Sequence, residues 1–216
     1  MKELRYLNIG YMKNLLTSDI INYLSINTKH SYNCDKKDDF LDLVREKNIN
    51  LIITTYDLEL LKNIREIDKK IQILILCDDV KDQYLIEAAK LEYVIFLSKE
   101  VSKNELIINL KKCIRNLDSN SSNILALKND YIFDLYNHTI LRNESVVSLS
   151  KKEISFLGFM LNNLNRVMSY DEINKQVWNG TMTNDALRSI VKELRKKLYK
   201  ELIKNISGVG YRIDLI

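Results

Sequence analysis

The chain has 216 residues, which is enough for two domains of ordinary size, each with its own hydrophobic core. Its formal net charge is +4, and its three cysteines are widely spaced, which favours buried or incidental thiols over a disulfide framework or a metal site. The first residues are charged and no long apolar run follows, so we expect neither a signal peptide nor a membrane span, and a cytoplasmic location.

The first half of the chain alternates short apolar runs with helical patterns. The runs are typical of strands buried on both faces and cover residues 4–9, 51–55, 73–77 and 93–97, with a weaker one at 33–34. Helical periodicity covers residues 15–24, 38–47, 58–68, 82–91 and 103–117. Repeated β-α units predict an α/β doubly wound, five-stranded parallel sheet over residues 1–117. No glycine-rich phosphate loop occurs, so we expect no nucleotide cofactor.

Residues 118–123 form a polar, low-complexity stretch of Asp, Ser and Asn. This composition is typical of a short flexible linker. It predicts a boundary between a first domain, residues 1–117, and a second domain, residues 124–216. Residues 1–117 contain 19 Lys and Arg against 18 Asp and Glu, which is nearly neutral. Most of the net charge of +4 therefore lies in the second domain.

Two capping boxes predict helices in the second domain. Ser150 followed by Glu153 opens an apolar helical pattern, and Ser169 followed by Glu172 opens a second, shorter one. From residue 183 to 198, apolar residues recur at three- and four-residue steps, which predicts a third helix with one buried stripe. Helix, short helix and helix in this order are typical of a helix-turn-helix.

The end of the chain is basic. Residues 205–213 contain two short β-prone runs around Gly208 and Gly210, which predict a hairpin. Residues 186–212 contain eight Lys and Arg against two acids. A basic helix followed by a basic hairpin fits duplex DNA, with the helix in the major groove, whereas the alternative is a merely solvated lysine face.

These motifs resemble the effector domain of OmpR/PhoB-type response regulators. The resemblance rests on Leu-Ser-Lys-Lys-Glu at 149–153, Val-Trp at 177–178, Glu-Leu-Arg-Lys-Lys-Leu at 193–198 and Gly-Val-Gly-Tyr-Arg at 208–212. It implies a winged helix-turn-helix preceded by a four-stranded antiparallel sheet, for which residues 124–127, 131–134, 139–142 and 146–149 are available. In the family, loops such as that at 179–184 can contact RNA polymerase, so the resemblance makes RNA polymerase a candidate partner.

The basic helix supplies the candidate DNA contacts. Arg188, Ser189 and Lys192 are the candidates for base edges. Nearer the helix end, the candidates for phosphate contacts are Arg195, Lys196 and Lys197. Arg212 follows the hairpin glycines and is a candidate for the DNA backbone or minor groove, although Ser207 stands where the family commonly has a basic residue. We interpret Asp185 as the helix cap, and Trp178 and Tyr211 as core aromatics.

The first domain resembles a receiver domain, in which an aspartate accepts a phosphoryl group beside a magnesium-binding acidic pair. At the positions where that chemistry is expected, the chain has Gly10 and Tyr11 for the acidic pair, Thr55 for the acceptor and Cys77 for the Ser or Thr. Lys99 alone fits the pattern. The sequence therefore predicts a degenerate pocket with no metal site, and a regulator that does not depend on phosphorylation.

Two alternatives remain open for the first domain. Asp57 is a candidate for a displaced acceptor, with Asp78 or Asp79 rebuilding a cation site, which would make the chain a conventional two-component regulator. An enzyme is not expected, because no set of nucleophile, base and acid is visible.

The receiver resemblance implies a homodimer through the fourth helix, fifth strand and fifth helix. Val94 and Ile95 stand where two aspartates usually begin the fifth strand. We therefore predict an apolar dimer surface around Ile95, with Lys111 and Arg115 of the last helix contributing. The competing interpretation is that these apolar residues fill their own core.

Overall fold

The computed structural model describes residues 4–119 and 122–215, and the chain divides into two compact units, Met1–Ile124 and Leu125–Ile216. Each unit has its own hydrophobic core. Within the described residues, no helix combines the length and the apolar character needed to cross a membrane.

The N-terminal unit alternates strands and helices. Its elements are β1 (Asn8–Met12), α1 (Ser18–Asn27), β2 (His30–Cys34), α2 (Asp38–Glu46), β3 (Leu51–Thr54), α3 (Leu58–Ile67), β4 (Gln72–Leu76), α4 (Asp82–Leu91), β5 (Val94–Leu97) and α5 (Lys103–Ser119). All the strands are parallel and lie in the order β2-β1-β3-β4-β5. Because β3 and β4 are buried along their whole length, they form the centre of the core. The predicted doubly wound sheet is confirmed.

The first strand lies further along the chain than predicted. The apolar run at residues 4–9 predicted a strand there, whereas β1 spans Asn8–Met12. Leu4 and Leu7 are nevertheless 2% and 0% exposed, so they are apolar because the segment before the strand is packed into the core. The apolar pattern in the sequence detects that a segment is buried, but it does not show which residues pair as a strand. At the start of this chain the two segments are not the same.

The residues of the predicted linker that the structure describes, 118–119 and 122–123, are held by a helix and by hydrogen bonds. The predicted fifth helix ended at residue 117, whereas α5 continues to Ser119. Asn123 is fully buried and its Oδ1 accepts a hydrogen bond of 2.7 Å from the Tyr93 backbone N–H. The Ser122 hydroxyl donates to Glu92 Oε2 at 2.7 Å. Ser122 and Asn123 are therefore fastened to the turn that precedes β5, and residues 120 and 121 lie outside the described part of the chain.

The C-terminal unit begins with strands and continues with helices and a hairpin. Its elements are β6 (Ile124–Ala126), β7 (Tyr131–Asp134), β8 (Thr139–Arg142), β9 (Ser145–Val146), α6 (Lys151–Leu161), β10 (Met168–Ser169), α7 (Tyr170–Trp178), α8 (Asn184–Lys197), β11 (Lys204–Ile206) and β12 (Gly210–Arg212). The first four strands form one sheet in chain order, and β11 and β12 form the predicted antiparallel hairpin. This is the predicted winged helix-turn-helix architecture.

Both predicted capping boxes are present in the C-terminal unit. The Ser150 and Ser169 hydroxyls each accept from the backbone N–H three residues on. In turn, the Glu153 and Glu172 carboxylates accept from the backbone N–H of Ser150 and Ser169. The helices they open bury Phe156 and Ile173 in the core. Capping and burial together fix where α6 and α7 begin.

Candidate nucleic-acid interface

Helix α8 presents one buried and one exposed face. Leu187, Val191 and Leu194 are buried in the core of the C-terminal unit. The N-cap is Thr183, whose hydroxyl accepts from the Ala186 N–H at 3.2 Å. The interpretation of Asp185 as the cap was wrong: it lies in the first turn, where its charge favours the helix dipole.

Three of the predicted DNA-contact residues lie on the exposed face of α8. Arg188, Ser189 and Lys192 are exposed. The Arg188 Nη1 lies 3.6 Å from Asp185 Oδ1, but both side chains are largely in solvent, at 73% and 94% exposed. Such a pair is weak in water, so Asp185 does not prevent Arg188 from reaching a ligand. Lys196, one turn beyond Lys192, is also exposed.

Two of the predicted phosphate contacts have partners inside the domain. The Arg195 guanidinium donates through both Nε and Nη2 to the Ile203 carbonyl, at 3.1 and 2.6 Å. The Lys197 Nζ lies 2.7 Å from Glu153 Oε2, and Glu153 is 3% exposed. Burial raises the pKa of Glu153, but the bonds from Lys197 and Ser150 outweigh it and leave the pKa below its usual value. Both side chains thus connect α8 to neighbouring elements.

The hairpin is held in place by one acid. Asp214 Oδ1 lies 2.8 Å from Arg212 Nε, and Asp214 Oδ2 accepts from Lys204 Nζ at 2.8 Å. These bonds, that from Lys204 first, lower the pKa of Asp214. Arg212, the predicted contact of the hairpin, is therefore paired within its own unit, whereas Val209 at the hairpin turn is 50% exposed.

Sequence reasoning missed two features of this region. The short strand β10 adds to the hairpin through the pairs Met168–Tyr211 and Ser169–Gly210, and two residues are too few to give a periodic signal. Lys200 and Lys204 belong to the basic run but had no assigned role, and both are exposed after α8. The local charge count was the signal that could have found them.

The turn between α7 and α8 is ordered by hydrogen bonds. Asn179 ends α7 in a left-handed conformation with φ 53°, and the Asn174 Oδ1 accepts from the Met182 N–H at 2.9 Å. The Thr181 hydroxyl donates to the Trp178 carbonyl at 2.7 Å. The loop predicted to contact RNA polymerase thus has a defined shape.

The residues of the predicted phosphorylation pocket are only partly brought together. Gly10 and Tyr11 were predicted to follow the first strand, which was wrong: both are buried within β1, which ends at Met12. Thr55 directly follows β3 and Cys77 directly follows β4. Lys99 lies just after β5, so these three residues share the carboxyl edge of neighbouring parallel strands.

The acids near that edge have other roles. Asp57 caps α3 by accepting from the Leu60 N–H at 3.0 Å, and it forms an ion pair with Lys37. The bond from Lys37 is the main reason that the pKa of Asp57 lies below its usual value. Asp78 accepts from the Lys99 backbone N–H at 2.9 Å, which lowers its pKa, and its carboxylate lies 3.5 Å from the Lys99 Nζ.

An aromatic cluster lies beside the same edge. The rings of Tyr56 and Tyr84 stack with centroids 3.7 Å apart and planes 19° apart, and Phe96 lies 6.1 and 6.4 Å from them. Tyr56 follows Thr55 directly, Tyr84 belongs to α4 and Phe96 to β5. The cluster therefore ties the segment after β3 to α4.

The apolar dimer surface predicted around Ile95 does not exist as such. Ile95 is 2% exposed within β5, so the competing interpretation, that it fills its own core, is correct. Lys111 and Arg115 are exposed on α5, and the same stripe of that helix carries Ile108, which is 65% exposed.

Across the described ranges, no group of three or more His, Cys, Asp or Glu side chains is placed to hold a metal ion.

Comparison with known proteins agrees with this geometry. Residues 143–213 match a family described as "Transcriptional regulatory protein, C terminal". The chain is 28% identical over 120 residues to the transcriptional regulatory protein VxrB of Vibrio cholerae, covering 55% of this chain and 49% of VxrB. It is 30% identical over 79 residues to the response regulator protein PmrA of Pseudomonas aeruginosa, covering 36% of each chain. The alignments thus span half or less of these relatives.

The fold of the whole chain also has a solved counterpart. The response regulator DrrB of Thermotoga maritima, an OmpR/PhoB homolog, superposes with a TM-score of 0.65 at 19% identity, covering 97% of this chain and 100% of DrrB. At that identity the likeness concerns the fold. It confirms a five-stranded parallel sheet with helices followed by a winged helix-turn-helix domain.

Proposed function

We propose that this chain is a DNA-binding transcription regulator of the OmpR/PhoB response-regulator type. The observation that carries the proposal is the exposed basic face of α8, which lies within the region matched by the regulatory family. An α-helix with an exposed basic face fits the major groove of B-DNA. Of the relatives that the chain resembles, VxrB is described as a transcriptional regulatory protein and PmrA as a response regulator protein.

The contacts of the interface divide into two groups. Arg188, Ser189 and Lys192 read base edges, because they lie together on the solvent face of α8. Lys196 contacts phosphate, and the exposed Lys200 extends this group beyond the helix. The other basic side chains support the interface instead, since each has a partner within the domain: Arg195, Lys197, Lys204 and Arg212.

The N-terminal unit works without a phosphoryl group. The sequence offers Thr55 where an acceptor aspartate is expected, and Asp57 is engaged as a helix cap with Lys37 as its ion partner. The stack of Tyr56 on Tyr84 links the segment after β3 to α4. A link of this kind favours one arrangement of α4 at all times, which is what an unphosphorylated regulator needs.

The chain acts as a homodimer. The surface that supports this is the α5 stripe of Ile108, Lys111 and Arg115, in which an exposed isoleucine stands among cations. Two copies on neighbouring half-sites would read DNA about one helical turn apart, ~10–11 base pairs. The loop at residues 179–184 is the candidate contact with RNA polymerase.

The decisive experiment is footprinting of the untreated full-length protein on genomic DNA, repeated with Arg188→Ala. We expect discrete protected sites, and for the variant a loss of about 1–3 kcal/mol in binding with relaxed preference at one base position. A uniform loss on all sequences would contradict the base contact. Absence of any protected site would contradict DNA binding altogether.

The alternative, a conventional regulator phosphorylated at Asp57, has its own test. The protein is incubated with acetyl phosphate and Mg²⁺, and its mass is measured before and after. We expect no added phosphoryl group and an unchanged footprint. A phosphoryl adduct that is lost in Asp57→Asn would establish the alternative.

A further inference from the structure

A basic cavity opens at the edge of the N-terminal unit opposite the carboxyl ends of the strands. It has a volume of about 330 Å³ and is lined by the end of α3, the residues before β4 and the turn between α4 and β5. Four cations line it, against one carboxylate: Arg65, Lys69, Lys70, Lys90 and Glu92. The Lys90 Nζ also lies 3.6 Å from Glu87 Oε1, so the excess of positive charge comes mainly from Lys69 and Lys70. A concave surface with cations on several sides concentrates anions more strongly than a flat lysine face.

The cavity wall is a backbone turn that is costly to form. Glu92 adopts φ 56° and ψ 164°, and Tyr93 has φ 51°. The conformation of Glu92 belongs to a region that is essentially reserved for glycine. Strained residues of this kind persist only where the surroundings hold them, and they cluster at ligand sites and switches.

Three side chains hold this turn. The buried Arg65 donates from Nε to the Leu91 carbonyl and from Nη2 to the Glu92 carbonyl, both at 2.8 Å. Asn123 accepts from the Tyr93 N–H at 2.7 Å and the Ser122 hydroxyl bonds the Glu92 carboxylate at 2.7 Å. The turn therefore connects the cavity with the segment that leads into the second unit.

The lysines face the cavity from different elements. Lys69 and Lys70 precede β4, whereas Lys90 lies in the last turn of α4, and all three are exposed. Lysine ammonium groups bind phosphate as point charges, and a phosphate group offers about two negative charges and three acceptor oxygens. The volume lies at the lower end of the range for small-molecule sites.

We propose that this cavity binds a small molecule carrying two linked phosphate groups, and that the bound molecule acts on the turn at Glu92 and Tyr93. A diphosphate reaches Lys70 on one side and Lys90 on the other, and its charge offsets the excess of cations in the cavity. The negative charge of the ligand would also lie near the Glu92 carboxylate, which accepts from the Ser122 hydroxyl, and the repulsion between the two anions couples occupancy to Ser122 and Asn123. The binding step is independent of the proposed function; only an effect on DNA would rest on it.

The test is titration of the full-length protein with inorganic pyrophosphate, with inorganic phosphate, adenosine diphosphate and citrate as further probes. We expect saturable binding of pyrophosphate, about tenfold tighter than that of phosphate or citrate. Binding of adenosine diphosphate at least as tight as pyrophosphate identifies a nucleoside diphosphate as the source of the phosphates, and weaker binding identifies a free diphosphate. Citrate binding as tight as pyrophosphate, or no saturable binding of any probe, would overturn the proposal.

Paired variants remove the ambiguity of a general charge effect. Lys70→Gln with Lys90→Gln removes two charges from the cavity, and Lys62→Gln with Lys81→Gln removes two exposed charges elsewhere. We expect the first pair to weaken pyrophosphate binding about tenfold or more, and the second by less than about twofold. Equal weakening by both pairs, or displacement of pyrophosphate by a short DNA duplex, would mean that the cations serve only as a polyanion surface.

Amide resonances report the coupling separately. Saturating pyrophosphate should shift the backbone amide signals of Tyr93 and Asn123 in the wild-type protein and leave them unshifted in the Lys70→Gln, Lys90→Gln variant. Shifts confined to Lys69, Lys70 and Lys90 would overturn the coupling while the binding site stands. Because no DNA is present, failure of this experiment is distinguishable from failure of the proposed DNA-binding function.

Discussion

Adjacent lysines at the end of α8 have different environments. Lys196 points into solvent, whereas Lys197 forms an ion pair with the buried Glu153, the residue that also completes the capping box of α6. A carboxylate that is buried costs free energy unless its charge is compensated. We therefore assign Lys197 to the stability of the domain and Lys196 to contact with phosphate.

Alanine substitutions at these two positions should separate stability from binding. Lys197→Ala leaves Glu153 without its cation and should lower the free energy of unfolding by about 1–3 kcal/mol. Lys196→Ala should change the free energy of unfolding by less than ~0.5 kcal/mol. It should, however, reduce the slope of log affinity for DNA against log salt concentration by about 1, the value expected for one lost phosphate contact. Urea unfolding followed by fluorescence of Trp178, the only tryptophan, reports on the C-terminal unit. Equal stability of the two variants would refute the assignment.

The same ion pair predicts a dependence on pH. The pKa of Glu153 is lowered in the folded protein, so its ionised form contributes stability above its ordinary value of 4.5. That contribution is lost as the pH falls below this value and through the lowered pKa. Between about pH 6 and about pH 3, the free energy of unfolding should therefore fall more steeply in the wild type than in Glu153→Gln. If the free energy of unfolding changed with pH equally in both proteins, the contribution of the Glu153 ion pair would be refuted.

At the scale of the element, the hairpin depends on the missed strand β10. A Cβ at Gly210 would lie 1.9 Å from the Met168 carbonyl oxygen, so any side chain there separates β10 from β12. Gly208, in contrast, has φ 74° at the turn, with open space around it. The two glycines are required for different reasons, namely close approach and backbone conformation.

Substitution should reveal that difference. Gly210→Ala should destabilise the C-terminal unit by more than about 2 kcal/mol, because two backbone segments must move apart. Gly208→Asn should cost less than about 1 kcal/mol, because asparagine tolerates the left-handed conformation. Thermal unfolding monitored by Trp178 fluorescence checks both. A mild effect at Gly210 would show that β10 contributes little.

Elements with a long or strongly signalled pattern could be predicted from the sequence. The capping boxes at Ser150 and Ser169 and the fully buried β3 and β4 lie close to their predicted places because local chemistry fixes them. β1 and β10 could not be placed, since burial without pairing mimics a strand and a two-residue strand has no period. The partners of Arg195 and Lys197 and the burial of Ile95 were equally inaccessible, because they depend on tertiary packing and not on local sequence.

At the scale of the whole molecule, the N-terminal unit offers one exposed apolar residue on the helix proposed for pairing. Ile108 is 65% exposed on α5, in the same stripe as Lys111 and Arg115, and Ile26 is 77% exposed on α1. Both isoleucines are in water in the isolated chain, so a charge at either position costs the monomer little. Only the position that is buried in a dimer should respond.

Ile108→Lys should therefore dissociate the dimer, and Ile26→Lys should not. Sedimentation at micromolar concentration should give a dimer for the wild type and the Ile26 variant and a monomer for the Ile108 variant, because a lysine at position 108 adds a further cation beside Lys111 and Arg115, and like charges brought together at an interface repel. The monomeric variant should still bind a single half-site, but it should lose the added affinity that two linked effector domains gain on adjacent half-sites, about 10²-fold or more. A wild-type monomer would refute constitutive pairing, whereas dissociation by Ile26→Lys alone would move the interface to α1.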